Sequence, residues 1–404
     1  MALAAPRICC LDLDTFFVSV ERLFDPSLVG KPVIVGGLPG QRGVVTSASY
    51  EVRAFGVRAG MSLTQASELA PHAVYLPTRH GVYGDYAARV RTVAERATPL
   101  VQTASIDEFF LDFRGCERLW ARPTDPTLED TVARVCREIR DTVLAEIGLP
   151  CSLGIGRTRS LAKMASGKAK PAGVWLVRPG DEEGFVRPLP VRKLPGLGPV
   201  AESHLNAAGI TTLGEVLDLP PGPLRARFGA WGARLREVLH GAPPELRPDR
   251  PAFREHDPQG AVDGGISNER TFHADLGDRD AVWTELRALV ERVAWRVRQR
   301  GVLARTVALK LRYADFHTLT RSSTGPATDD ERQLMDRVTA LLDAAWTRRR
   351  AIRLVGVGLS NLELPGPQLQ LPSRPGSRPA LGVAIDAVRA RFGYEAVRLG
   401  RAEG

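Results

Sequence analysis

An apolar run, Ile8 to Leu13, carries Asp12 and is closed by Asp14, and helical periodicity starts at once over Thr15 to Phe24. Such a run reads as a buried strand, so both acids fall at a strand-to-helix junction, where a carboxylate is displayed rather than enclosed. A second pair stands in a similar place. Val101 to Ser105 and Phe109 to Phe113 read as strands, and Ile106, Asp107 and Glu108 between them put acids at a hairpin tip. A chain with two acidic strand ends must seat both on a sheet, and the segments between them set its class. Val33 to Val35, Val44 to Thr46 and Ser152 to Ile155 are expected strands. Ser62 to Leu69, Val82 to Ala97, Leu128 to Ile147 and Ser160 to Ser166 are expected helices. The first 190 residues are therefore mixed α+β.

From Pro188 the pattern changes to short helices broken by Gly and Pro: Ala201 to Ala208, Leu213 to Leu217 and Leu224 to Phe228. Residues 248–265 read as a linker, being acidic, Pro-containing and poor in apolar side chains. Residues 266–362 give strands at Ser267 to Phe272, Thr306 to Tyr313, His317 to Ser323 and Leu354 to Leu359. Helices are expected at Ala281 to Gln299 and Asp329 to Ala345, an order that suits a four-stranded sheet with two helices on one face. The Pro-rich stretch 363–404 reads as a flexible tail containing a helix from Val383 to Phe392.

At 404 residues several domains are expected. No apolar stretch approaches the ~20 residues that cross a bilayer, and Asp12 and Asp14 fall where a signal peptide needs its apolar segment. A cytoplasmic protein with no membrane association is the expectation. Five cysteines with no Cys-x-x-Cys spacing indicate neither a disulfide framework nor a zinc site. The net charge of +9 favours polyanion partners, and most of the excess lies in 264–362, with 17 basic against 12 acidic residues.

Two readings of the acids are open. Acids in turns are commonly solvated. Alternatively, carboxylates that converge on two magnesium ions ~3.5–4 Å apart serve phosphoryl transfer to a sugar hydroxyl. Local context bears on the choice. Asp12-Leu-Asp-Thr-Phe-Phe17 and Ser105-Ile-Asp-Glu108 resemble the two acidic motifs of the Y-family DNA polymerases. The likeness continues through Ala48-Ser-Tyr-Glu-Val-Arg-Ala-Phe-Gly-Val57, Ala169-Lys-Pro-Ala-Gly-Val174, Pro195-Gly-Leu-Gly198 and the run from Arg353 to Leu362. These motifs follow the family's order and are most similar to the DinB, or DNA polymerase IV, group.

The resemblance implies a right-hand polymerase. Residues 1–24 and 81–178 would form the palm, 25–80 small fingers, 179–247 a helical thumb with a helix-hairpin-helix, and 266–362 the little finger. Asp12 and Asp107 would bind two magnesium ions, with manganese as a substitute. The Leu13 carbonyl would help hold the ion on the nucleotide side, and Glu108 would complete the other. Asp14 is either a supporting acid or the N-cap of the following helix. Ser47, Tyr50, Arg53 and Lys170 would contact the dNTP triphosphate, for which Arg forks and Lys point charges suit. Lys163, Lys168 and Lys170 concentrate half of the chain's six lysines in eight positions. Phe17 matches the steric gate against a ribose 2′-hydroxyl, with Phe16 beside it as the alternative packing or contact residue.

Gly196 and Gly198 would let backbone N–H groups approach primer-template DNA, as a second turn at Phe228 to Gly232 would. Arg305, Lys310, Arg312 and Arg321 would track phosphates without reading bases. Gln368-Leu-Gln-Leu-Pro372 resembles a degenerate sliding-clamp peptide. The implied activity is low-fidelity translesion synthesis by a monomer without proofreading. A catalytically inactive adaptor and a non-enzymatic DNA-binding repair factor are the competing readings.

Overall fold

β1 (Ile8–Leu13) has all six residues buried because helices cover both faces of the sheet it occupies. The computed structural model describes residues 7–220, 222–226, 261–262, 264–346, 350–365 and 379–397. They fall into two compact units, Met1–Glu255 and His256–Gly404.

In the first unit, β1 is followed by α1 (Phe16–Phe24), β2 (Val33–Val35), β3 (Ser47–Ala48), α2 (Tyr50–Arg53), α3 (Leu63–Leu69) and β4 (Val74–Leu76). Then come α4 (His80–Glu95), β5 (Leu100–Ser105), β6 (Glu108–Asp112), α5 (Leu128–Ile147), β7 (Cys151–Gly156), α6 (Arg159–Ala169) and β8 (Val174–Leu176). Three short helices follow: α7 (Glu182–Val186), α8 (Pro199–Ala207) and α9 (Leu213–Asp218), and the described residues 222–226 after them are also helical. The main sheet has the order β5-β6-β1-β7-β8, and a small one has β3-β2-β4. Side chains alternate along β1. Cys9, Leu11 and Leu13 enter the large core with Val90, Val93, Cys136 and Ile139 of α4 and α5. Ile8 and Cys10 face the other way, against Phe110 and Ala162 of α6.

α6 can lie this close to the sheet because β7 presents glycine beneath it. A Cβ on Gly154 would stand 2.0 Å from the Ser166 nitrogen, and one on Gly156 would stand 2.8 Å from the Leu161 Cβ. Thr158 caps the helix by accepting from the Leu161 N–H. In α5 the expected bounds are met at both ends, where Thr127 accepts from the Asp130 N–H and Gly148 takes the left-handed conformation, φ 82°.

The second unit contains β9 (Ala261–Val262), β10 (Ile266–Leu276), α10 (Arg279–Gln299), β11 (Leu303–Tyr313), β12 (Thr318–Thr328), α11 (Glu331–Ala345), β13 (Ile352–Glu363) and α12 (Pro379–Phe392). The antiparallel sheet runs β10-β13-β11-β12, with β9 added against the end of β13. α10 packs on β10 and β13, and α11 on β11 and β12. Their core includes Leu286, Val293, Leu309, Leu311, Val338 and Val355.

Several expectations change. The strand placed at Val44 to Thr46 lies instead at Ser47–Ala48, because Val44 bridges to Ser62 and the Val45 N–H donates to the Met61 carbonyl at 2.8 Å, away from β2. Within the span read as linker, Ala261–Val262 pairs with β13. The tail helix starts at Pro379 and is docked on its own unit. Asp386 pairs with Arg298 at 2.6 Å, and the fully buried Arg389 reaches Glu291 at 3.3 Å. β4 and β8 were not foreseen.

Candidate active site

Register brings the two acidic strand ends together. β1 and β6 are antiparallel neighbours, with Asp12 directly opposite Glu108, and the Leu13 N–H donates to the Asp107 carbonyl at 2.9 Å. Asp12 shares the parity of Ile8 and Cys10, so its carboxylate points to the face that α6 covers. There Lys163 bridges the pair: its Nζ lies 2.8 Å from Asp12 Oδ2 and also bonds Glu108 Oε2. Lys170, just past the end of α6, bonds the other Asp12 oxygen. Burial alone would discourage a charge on Lys163, but Asp12 and the other bonded groups outweigh it and raise its pKa well above the usual lysine value. Burial and the Glu108 charge raise the Cys10 thiol beneath the site, so it stays neutral.

Asp107 is placed differently. At the hairpin tip its carboxylate accepts from the Ser105 hydroxyl and does not meet the Lys163 bridge. Among the described residues no set of three carboxylate, His or Cys donors is gathered around one point.

Asp14 is 1% exposed and fully engaged. Tyr50 Oη donates to it at 3.0 Å, Ser152 Oγ at 2.8 Å and the Ala172 N–H at 2.8 Å, while Lys170 Nζ lies 3.7 Å away. Burial, then the Asp14 charge and bond, raise the Tyr50 hydroxyl far above its ordinary pKa, so it remains a donor. Asp14 does not cap α1. That position is Thr15, with φ 45° and no side-chain capping bond.

Residues 11–167 match the impB/mucB/samB family, 179–210 its helix-hairpin-helix motif, and 265–372 its C-terminal domain. The chain is 34% identical over 397 residues to DNA polymerase IV of Dehalococcoides mccartyi strain CBDB1, covering 98% of this chain and 97% of that one. It is 40% identical over 367 residues to DNA polymerase IV of Streptomyces coelicolor, covering 89% and 71%. A solved Y-family DNA polymerase chimera of Dbh and Dpo4 shares the fold, with a TM-score of 0.73 at 22% identity over 89% of this chain and 99% of that one. The chain belongs to the Y family of DNA polymerases. Within this Y-family chain the remaining candidate residues fall into three groups.

Ser47 and Tyr50 flank the start of α2, and Tyr50 is 38% exposed. The Arg53 guanidinium lies over the Tyr50 ring at 4.9 Å and donates through Nε to the Ala48 carbonyl at 3.1 Å. Among the described residues Arg53 makes no ion pair. Phe16 and Phe17 are both core residues of α1, 4% and 9% exposed. Phe17 stacks on Tyr83, with centroids 4.0 Å apart and ring planes at 14°.

Gly196 has φ +85° in the turn before α8, a conformation that favours glycine. Gly198 is the N-cap of α8, with Pro199 at the first helical position. The second turn proposed at 228–232 and the peptide Gln368–Pro372 lie outside the described residues.

In the second unit Lys310 and Arg312 alternate with buried Leu309, Leu311 and Tyr313, so they stand on the open face of the sheet. Gly356 and Gly358 of β13 lie opposite Lys310 and Ala308 on that face and keep it low. Arg321 does not join them. It pairs with Leu309 in register, which places it on the helix side of the edge strand β12. Arg305 is exposed where the β11 ladder shifts register. Sequence reasoning missed Lys163 and Ser152 as members of the site, although the lysine cluster was visible.

Proposed function

We propose that the chain is a template-directed DNA polymerase performing low-fidelity translesion synthesis, adding a deoxynucleotide from a dNTP to a primer 3′-hydroxyl without proofreading. The observation that carries this reading is the pairing of Asp12 with Glu108 at a sheet end, their oxygens converging on one cationic atom, Lys163 Nζ. Hard carboxylate oxygens around a positive charge are a donor set that fits magnesium or manganese. Asp12, Glu108, the Leu13 carbonyl and Asp107, after release from Ser105, would hold a pair of ions. Bound there, such ions acidify the attacking hydroxyl and offset charge on the triphosphate.

The chain's own groups do the rest. Lys170 and Arg53 supply a point charge and a fork for phosphate oxygens, and Ser47 and Tyr50 add hydroxyls. Asp14 fixes the Tyr50 hydroxyl by accepting from it. The Phe17 ring excludes a ribose 2′-hydroxyl. The turn at Gly196 and Gly198 offers backbone N–H groups to a DNA phosphate, and Lys310 and Arg312 offer charge along an open sheet face. In this reading residues 1–24 and 81–178 are the palm, 25–80 the fingers, 179–247 the thumb and 266–362 the little finger. A sliding clamp bound through Gln368–Pro372 is a further partner. No described helix is long and apolar enough to cross a membrane. The inactive-adaptor reading has no observation in its favour, since all three carboxylates are present.

Primer extension tests the assignment. Wild type should extend with magnesium or manganese, whereas Asp107→Ala and Glu108→Ala should bind primer-template with unchanged affinity and fail to extend. Extension by either variant at the wild-type rate would overturn the site.

A further inference from the structure

Glu21 is a charged group in the core for which the chemistry above has no use. It is 7% exposed and lies one helical turn after Phe17 on α1, so both side chains emerge on the same face. Tyr83 of α4 has no exposed surface and closes that face. Its ring is the one on which Phe17 stacks, and its hydroxyl donates to Glu21 Oε1 at 2.5 Å. Glu21 is held in turn by Arg79, which donates through Nε at 2.9 Å and bonds the second carboxylate oxygen as well. The Arg79 guanidinium is fixed over the Phe24 ring, 4.5 Å from its centroid. Burial and the Glu21 bond push the Tyr83 hydroxyl up to about 12, so it remains a donor at any working pH.

A ring has two ways to yield to a 2′-hydroxyl: it can rotate about its own side-chain bonds, or its backing can slide. The parallel stack on Tyr83 opposes the first. The bond from Tyr83 to a buried carboxylate that Arg79 holds in place opposes the second, because sliding would leave the buried Tyr83 hydroxyl without its acceptor. We propose that Glu21, held by Arg79, is a positioning residue for sugar discrimination, acting through Tyr83 to lock the Phe17 ring in place. This rests on Phe17 being the residue that excludes the ribose hydroxyl. It adds that discrimination depends on a carboxylate that never touches the nucleotide.

Single-nucleotide incorporation on a primer-template, with a dNTP and the matching ribonucleotide compared by kcat/KM, separates the possibilities. Phe17→Ala sets the scale by relaxing discrimination fully. Tyr83→Phe keeps the stacked ring but removes its anchor, and Glu21→Ala removes the acceptor. Each should lower the discrimination ratio about tenfold, a size in keeping with loss of a charge-assisted buried bond. The change should appear as a rise in ribonucleotide kcat/KM with dNTP values nearly unchanged. Glu21→Gln, which still offers Tyr83 an acceptor, should recover most of the ratio lost in Glu21→Ala. A purely structural role would instead lower the melting temperature and both incorporation rates together, leaving the ratio at the wild-type value. Relaxed discrimination in Phe17→Ala combined with wild-type ratios in Tyr83→Phe and Glu21→Ala would overturn the proposal. A wild-type ratio in Phe17→Ala would instead overturn the assignment of Phe17. Should Glu21→Ala fail to fold, Tyr83→Phe alone decides, since it removes one oxygen from a core that keeps its shape.

Discussion

Placing a methyl group on Gly154 should push α6 off the sheet and carry Lys163 and Lys170 with it. The new Cβ would lie 2.0 Å from the Ser166 nitrogen, 2.2 Å from the Ala162 carbonyl oxygen and 2.5 Å from the Ala165 carbonyl carbon, where ordinary contact begins at 3.4 Å. All three atoms are backbone, so no side chain can swing aside and the helix itself must retreat by about 1.4 Å, the difference between 2.0 and 3.4 Å. Overpacking of this kind costs ~1–3 kcal/mol, and rigid backbone on the receiving side places Gly154→Ala near the upper end. At ~2–4 °C per kcal/mol for a unit of this size, the melting temperature should fall by ~6–12 °C. A displacement of about 1 Å in groups that orient a substrate costs on the order of 100-fold in rate, and single-turnover nucleotide incorporation should show it. Gly167→Ala is the matched control, because it lies in the same helix with nothing within 4 Å of its added Cβ. It should leave activity intact and stabilise by up to ~1 kcal/mol. Wild-type stability and incorporation in Gly154→Ala would refute the argument that this glycine sets the helix against the active site.

Other perturbations probe separate parts of the account. Lys163→Ala leaves Asp12 and Glu108 without their shared cation, so it should lower stability without divalent metal by about 1 kcal/mol, a modest figure because Lys163 is one-third exposed. The same variant should reach half-maximal rate at a lower magnesium concentration, since the ion no longer competes with an ammonium; a metal titration of kcat checks this. Ser152→Ala removes one of the Asp14 donors and should cost ~1–3 kcal/mol in chemical denaturation. Lys310→Ala and Arg312→Ala should each flatten the log–log salt dependence of DNA affinity by up to ~0.9 for every phosphate no longer neutralised. Arg321→Ala, on the opposite face by register, should leave that slope unchanged.

What the sequence made legible depended on how local the determinants were. α5 could be read to the residue, since a capping threonine, continuous periodicity and a closing glycine all lie within it. β1 and the β5–β6 hairpin were readable for the same reason. β4 and β8 are three-residue strands whose pairing among the described residues is parallel to a strand separated from them in sequence, so nothing in their own neighbourhood announces them. β12 runs on to Thr328 through Gly325 and Pro326 because it is an edge strand, where a missing donor can face away from the ladder. The Pro-rich stretch around the tail helix read as flexible, but the helix's arginine and aspartate find partners on α10 that composition alone does not reveal.

The site divides in the same way. Asp12 and Glu108 were marked by the strand-end position of acids, whereas their direct opposition is a property of register between segments about a hundred residues apart. Ser152 entered because β7 lies beside β1, and Glu21 because α4 lies across α1. Lys163 was half legible. Its place in the lysine cluster before Lys170 was visible, but nothing in the sequence said that α6 would lay it over the carboxylates.

The central claim is that Asp12, Asp107 and Glu108 together hold two divalent ions in place of the lysine contacts. Electron paramagnetic resonance titration of manganese into the protein with a non-extendable primer-template and dNTP counts those ions directly. Wild type should bind two ions beyond those held by dNTP and DNA alone, and Asp12→Asn should lose at least one of them. Identical manganese stoichiometry in wild type and Asp12→Asn would contradict it.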